Sequence, residues 1–262
     1  MIEAVGAAPQ SSPPTPGSWL WPYSPEPRAG GVRLICFSHA GGGGAAYRSW
    51  PADLPPSVGL HAVTLPGRED RLIERPLTDI RQVVDEICRV LEPLLDRPFA
   101  IFGHSLGAII GSEVALALHR TTGRQPVHLF VSGCRALHEV ADPSRRHLWS
   151  DADLLALLRD LNGTPAELLA SPDFVPFILR AFRADLALLA DYRYRTGDRL
   201  DIPITAFGGT DDPTVDSAQL YAWAEITDGP NDVITFSGDH FYLRKQQAAL
   251  LRAIVARLDG AS

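Results

Sequence analysis

Cysteine is scarce: Cys36, Cys88 and Cys134 are three in number and far apart, which suits neither a disulfide framework nor a zinc site. They are expected to be buried free thiols. No apolar run approaches the roughly 20 residues of a membrane span, and the first residues include Glu3 rather than a signal-like apolar stretch. Membrane insertion and secretion are not expected, which leaves the cytoplasm as the expected compartment. An excess of positive charge is missing too. With 24 basic against 31 acidic residues and a formal charge of -7, no overall field exists to hold nucleic acid or an anionic membrane. No H-x-x-x-H or clustered carboxylate spacing points to a metal.

What is present is ample core material. The 262 residues are 45% hydrophobic and 21% charged, enough for one large α/β domain or two small ones and far from a disordered composition. Residues 1–30 hold seven of the 22 prolines, so this arm is expected to be extended and partly ordered, with Trp19, Leu20 and Trp21 pinning its end. After Gly31, short β-rich apolar runs alternate with longer segments of helical period, the pattern of a mostly parallel sheet with crossover helices. The runs are 32–37, 61–65, 99–102, 128–132, 202–207 and 232–236. Ile80, Val83, Val84, Ile87, Val90, Leu91 and Leu94 mark one apolar helix face, capped by Thr78 or Asp79.

Residues 148–194 break the rhythm. They carry only helical pattern, begun at Ser150, Thr164 and Ser171, and are expected to form an inserted helical subdomain dividing a core of 31–147 and 195–262. Phe174, Phe177, Ile178, Phe182, Leu186 and Leu189 are more apolar residues than one packing stripe requires. Mutual packing accounts for most of them, with some left to line a pocket.

The chemistry is carried by Gly103-His104-Ser105-Leu106-Gly107, a G-x-S-x-G between an apolar strand run and a helix-forming segment. At such an elbow the serine sits on a strained turn, and the flanking glycines allow close backbone approach. The helix N-terminus and the Leu106 amide can then stabilise negative charge on an attacked carbonyl. Serine is a poor nucleophile at neutral pH, so a histidine base and an orienting carboxylate are required. Elbow serines are followed in chain order by the acid and then the histidine. His240 lies directly after the run ending at Phe236. Asp211 and Asp212 lie after the run ending at Phe207; Asp212 is the expected partner because Pro213 biases its backbone toward extended geometry, leaving Asp211 to the turn. His104, at the variable elbow position, is expected to pack beneath the turn, and His61, His119, His128, His138 and His147 have no motif around them. The glycine-rich turn Phe37-Ser38-His39-Ala40-Gly41-Gly42-Gly43-Gly44 is expected to supply the Ala40 amide as second oxyanion donor. It lacks the Lys-Ser/Thr of a phosphate loop.

Together these pieces resemble the type II thioesterases that accompany modular polyketide synthases and non-ribosomal peptide synthetases, over nearly everything after residue 30. The resemblance is carried by FSHAGG at 37–42, Leu65-Pro66-Gly67-Arg68-Glu69 with Arg71, the elbow, Asn162-Gly163-Thr164-Pro165, Arg183-Ala184-Asp185, Gly209-Thr210-Asp211-Asp212-Pro213 and Gly238-Asp239-His240-Phe241. Ser38 stands where members usually carry proline. The resemblance implies an α/β-hydrolase fold, mostly parallel, with a helical lid over an acyl pocket, and a Ser105-His240-Asp212 triad with no cofactor. It also implies acyl thioesters on the phosphopantetheine arm of acyl or peptidyl carrier proteins as substrate, and removal of stalled or wrongly primed chains as the usual task. Release of a finished product is a variation on that task. Carrier proteins are commonly acidic, so Arg68, Arg71, Arg145, Arg146, Arg193 and Arg195 are candidates to meet them, with a salt-bridged or solvated role the alternative for each. The same triad would serve a carboxylesterase or acyltransferase, and a non-catalytic acyl-binding protein would keep the fold without the chemistry.

Overall fold

A computed structural model describes residues 18–140, 145–190 and 192–259. In chain order the elements are β1 (Leu20–Pro22), β2 (Val32–Phe37), β3 (Val58–Val63), α1 (Ile80–Leu91), β4 (Phe99–His104), α2 (Leu106–Thr122) and β5 (Leu129–Ser132). Then follow α3 (Asp151–Leu161), α4 (Ala166–Leu169), α5 (Val175–Ala190), β6 (Ile204–Gly209), α6 (Ser217–Tyr221), β7 (Asn231–Phe236), α7 (Tyr242–Lys245) and α8 (Gln247–Leu258). The strands form one seven-stranded sheet in the order β1-β3-β2-β4-β5-β6-β7. All neighbours are parallel except β1, which runs antiparallel along β3.

The strands β2, β3, β4 and β5 are buried at every position, as expected of parallel strands covered on both faces. One apolar cluster joins α1 and α2 to the sheet, and another packs α8, Tyr47 and Trp50 against the opposite face. Helix α1 buries Val83, Val84, Ile87 and Leu91, the face marked by its sequence period, and the Asp79 carboxylate caps it by accepting from the Arg81 N–H at 2.9 Å. The strand order reverses beside β2: the chain steps outward to β3 and returns across β2 to β4. At such a switch point the loops leaving the two adjacent strand ends diverge and open a crevice. Those loops hold the glycine-rich turn after β2 and the serine elbow after β4.

Several boundaries differ from the sequence reading. The strand expected at 61–65 spans Val58–Val63; a Cβ at Gly59 would lie 2.5 Å from Pro27, so glycine lets the strand begin early and pass close against it. The strand expected from 202 begins at Ile204, after Pro203, which has no N–H for a ladder bond. Within the stretch expected as an arm, β1 joins the sheet edge, and Trp19 lies under the Arg71 guanidinium at 4.3 Å. Residues 1–17 of that arm lie outside the described residues. Helices α3 to α5 occupy the connection between β5 and β6. Ser150 caps α3, but α4 starts after Pro165 and α5 after a turn at 171–174, slightly beyond the expected Thr164 and Ser171. Cys36 and Cys134 are buried, whereas Cys88 is only half-buried. Among the described residues no helix is long and apolar enough to cross a membrane.

Burial should decide tolerance to truncation. Ile35 is fully buried and Ile73 is 91% exposed. Ile35→Ala is expected to cost about 2–5 kcal/mol and Ile73→Ala within about 0.5 kcal/mol of zero, as measured by urea unfolding of each variant.

Candidate active site

Ser105 leaves β4 with φ 55° and ψ −119°, a left-handed-side conformation that strains any residue with a Cβ, typically by about 1–3 kcal/mol. The strain is tolerated because the turn is held from both sides: the Ser105 N–H donates to the Ser132 carbonyl at 2.8 Å, and the Ser105 carbonyl accepts from the Ala108 N–H at 2.9 Å. Gly107 is required by contact. A Cβ there would lie 2.1 Å from the Phe37 carbonyl oxygen, so only glycine lets the start of α2 press against the end of β2. That carbonyl also accepts the Tyr47 hydroxyl at 2.6 Å.

His240, in the loop after β7, is buried and places Nδ1 2.7 Å from Asp212 Oδ2. The Asp212 side chain is itself fully buried. Its other oxygen, Oδ1, accepts the Thr214 hydroxyl at 2.7 Å and the Thr214 N–H at 2.8 Å. Burial pushes the Asp212 carboxyl upward, but the hydrogen bonds and charge of His240 together with the Thr214 donors outweigh it, and the net shift is downward. Asp211 turns away: its N–H donates to the Gly238 carbonyl and its side chain is met by Thr210. With Nδ1 facing the carboxylate, the imidazole is left to work through Nε2.

Ser105, Leu106, Ala40 and His240 line one cavity of about 210 Å³. Phe182, Leu186 and Leu189 of α5, Leu157 and Leu161 of α3, and Ile109 and Val215 supply its apolar walls. Of the apolar residues expected in the insertion, Phe182, Leu186 and Leu189 thus reach the cavity, Ile178 packs within the insertion's own cluster, and Phe174 and Phe177 are exposed. Among the described residues no hydrogen bond closes between the Ser105 hydroxyl and His240. The two groups face one space, and contacts of this kind commonly tighten when substrate fills it. Cys134 also lines the cavity, yet burial pushes its thiol up to about 12, so it stays protonated.

Two further imidazoles surround His240. His104 is buried with Nδ1 2.9 Å from Ser132 Oγ, which in turn bonds the Tyr242 hydroxyl at 2.7 Å, and its ring lies 4.9 Å from that of His240. Burial, reinforced by His240 and His39, holds its pKa well below the usual value. His39 is lowered to about 3 by burial, with Arg244, His240 and Arg68 adding to the effect. Both are neutral at physiological pH. Sequence reasoning gave no role to His39, Thr214, Ser132 or Tyr242, since nothing in their spacing signals contacts made across the fold.

Two of the arginines expected to face a partner are internal. Arg68 is buried in a bidentate pair with Asp185, and Arg71 is buried against Glu74 and the Thr64 carbonyl. In both cases a carboxylate within reach made burial of the charge tolerable. Arg193 and Arg195 line a different cavity with Arg81 and Arg120. Arg146 is exposed and lines the Ser105 cavity, and Arg145 beside it is exposed.

A serine on a strained strand-to-helix elbow, with histidine and aspartate at the ends of later strands of a mostly parallel sheet, defines the α/β-hydrolase fold. Within it the chain belongs to the thioesterase family, the Thioesterase domain matching residues 32–258. Gramicidin S biosynthesis protein GrsT of Aneurinibacillus migulanus is 36% identical over 227 residues, covering 87% of this chain and 89% of the relative. The solved structure of the type II thioesterase BorB from the borrelidin biosynthetic cluster matches with a TM-score of 0.84 at 38% identity, over 92% of this chain and 97% of that one. YbtT, a type II thioesterase from the yersiniabactin NRPS/PKS pathway, matches with a TM-score of 0.83 at 28% identity, over 93% and 99%. The chain is accordingly a thioesterase, an enzyme of the hydrolase class.

The Asp212 shift has a pH consequence. Its folded pKa lies below the unfolded value of about 3.9, so its contribution to stability is present above that value and lost as pH falls through the folded pKa. Asp212→Asn is therefore expected to be less stable than wild type above about pH 5. The margin should narrow in stronger acid, as urea unfolding at a series of pH values would register.

Proposed function

We propose that the protein hydrolyses acyl thioesters carried on the phosphopantetheine arm of acyl or peptidyl carrier proteins in polyketide or non-ribosomal peptide biosynthesis, clearing stalled or wrongly primed chains. The observation that carries this reading is the shared cavity: Ser105, Leu106 and Ala40 face the same apolar space as a His240 already paired through Nδ1 to Asp212. Names and pathways of the relatives support the substrate class.

In the proposed reaction, the Ser105 oxygen attacks the thioester carbonyl while His240 Nε2 takes its proton. The resulting oxyanion is held by the Leu106 and Ala40 N–H groups, the first at the N-terminus of α2, where the helix amides have no partner one turn back. The C–S bond then breaks, and the sulfur leaves as a thiol with the proton from His240. Water, deprotonated by the same imidazole, attacks the acyl-serine ester and restores the hydroxyl. Asp212 keeps the imidazole in the tautomer with Nε2 free and stabilises its transient positive charge. The helices of 148–194 act as a lid on the core of 31–147 and 195–262, with α3 and α5 walling the acyl chain. Arg146, which lines the cavity, and the exposed Arg145 beside it would meet an acidic carrier.

Ser105→Ala is expected to fold as wild type, to accumulate no acyl-enzyme by mass spectrometry, and to lose about 10⁴-fold or more in turnover of an acyl-loaded carrier protein. Wild-type turnover in that variant would refute the reading. The oxygen-ester analogue, tested alongside, should be the poorer substrate. Arg145→Glu/Arg146→Glu should raise KM for the carrier-bound thioester while leaving that for a small N-acetylcysteamine thioester unchanged.

A further inference from the structure

Resting on the assignment of Ser105 as nucleophile and Ala40 as oxyanion donor, we infer that Arg68 and Asp185 are positioning residues that aim the Ala40 N–H at the reacting carbonyl while α5 is seated on the acyl cavity.

The chain of contacts is continuous. Arg68 Nη1 and Nη2 donate to Asp185 Oδ2 and Oδ1 at 2.6 and 2.7 Å, and both side chains are buried. Asp185 Oδ2 also accepts the Gly41 N–H at 2.7 Å, and Arg68 Nη1 also donates to the Gly42 carbonyl at 3.0 Å. The pair therefore grips the two residues that follow Ala40 from both polar ends of the turn. The Gly42 N–H in turn donates to the His39 carbonyl at 2.9 Å. That carbonyl shares a planar trans peptide with the Ala40 N–H, and the two bonds of such a peptide point in opposite directions. Holding the carbonyl toward Gly42 thus aims the Ala40 N–H away from it, and Ala40 forms part of the cavity wall. Gly41 takes φ +78° to make the turn, a conformation that needs outside support to stay unique in a run of four glycines.

The geometry of the donors suits this task. A guanidinium paired fork to fork with a carboxylate has two parallel bonds and a fixed plane, so the second bonds that Nη1 and Oδ2 make to the turn are themselves fixed in direction. A single neutral hydrogen bond would leave the glycine turn free to rotate.

Asp185 has a second relation to the site. Phe182, Asp185, Leu186 and Leu189 stand at i, i+3, i+4 and i+7 along α5 and share one helix face. The three apolar members wall the cavity, and Phe182 also packs on Gly41. One face of α5 thus encloses the acyl group and supplies the carboxylate that orders the oxyanion turn. A helix displaced from the cavity takes both away together, which couples closure over substrate to competence for attack.

A buried ion pair that merely ties two segments together would look alike but would act on stability alone, so the test separates the chemical step from folding. In the full-length protein, Arg68→Met/Asp185→Leu removes both charges and leaves neither unpaired. With an acyl N-acetylcysteamine thioester as substrate, this variant is expected to lose at least about tenfold in kcat with KM within about twofold of wild type. Two inhibitors sharpen the reading. A trifluoromethyl ketone analogue is attacked by the Ser105 oxygen, with its proton passing to His240, to give a bound oxyanion; a thioether analogue of the same acyl chain is inert. The ketone should bind at least about tenfold more weakly and the thioether within about twofold of wild type. A folded double variant with unchanged kcat and ketone affinity, or with both inhibitors weakened equally, overturns the inference. If the double variant does not fold, Asp185→Asn, close in shape, is read by the same two inhibitors. Wild-type protein that fails both to hydrolyse the thioester and to be labelled at Ser105 by a fluorophosphonate overturns the underlying assignment instead, a result distinct from failure of the clamp alone.

Discussion

The contact between Gly107 and the Phe37 carbonyl is the constraint around which the site is built. Two strands adjacent in the sheet but separated in the chain, β2 and β4, end side by side, and the helix that follows β4 begins pressed against the end of β2. Without that approach the glycine-rich turn and the serine elbow would not open onto one space. The reversal of strand order at this point supplies the crevice, and the missing Cβ at Gly107 allows the two backbones to close its floor. Strain at Ser105 follows from the same geometry, since the chain must change direction within one residue between a buried strand and a buried helix.

Around this floor, burial sorts the titratable groups into distinct states. Asp212 keeps its charge because His240 and two Thr214 donors face it in a buried setting. His39 and His104, within reach of the same imidazole, are held neutral by desolvation and by neighbouring cations. The Cys134 thiol is kept protonated by the same loss of water. Of the nucleophilic and basic groups at the cavity, this leaves one histidine with a carboxylate behind it and one hydroxyl on the strained elbow.

The insertion between β5 and β6 contributes differently from the sheet. Its helices pack on one another through Leu154, Leu158, Leu169 and Leu179, and they meet the core through Leu188 and Leu189 of α5, through Arg180 at the Leu72 carbonyl, through Arg244 at the Asn162 and Gly163 carbonyls, and through the Arg68–Asp185 pair. A bidentate pair fixes direction as well as distance, because its two parallel hydrogen bonds form only when the guanidinium and carboxylate forks are in register. The pair ties α5 directly to the glycine-rich turn after β2.

Much of this was legible along the chain. The alternation of β-rich runs with helical period marked a parallel sheet with crossovers, because strands buried on both faces must be apolar throughout. The strand-to-helix turn at Ser105 was legible from the G-x-S-x-G between a strand run and a helix-forming segment, and the expectation that Asp212 rather than Asp211 faces His240 agrees with the 2.7 Å contact. Strand limits at β3 and β6 were misplaced, since a glycine or proline near a strand end acts through the neighbour it touches. Only the tertiary structure decided which arginines face water. Along the chain Arg68 and Arg71 were open to docking, salt-bridged or solvated roles; each is buried against a carboxylate, Asp185 lying 117 positions away from Arg68. A charge's fate depends on the partner and dielectric it meets after folding, and neither is written in its local sequence.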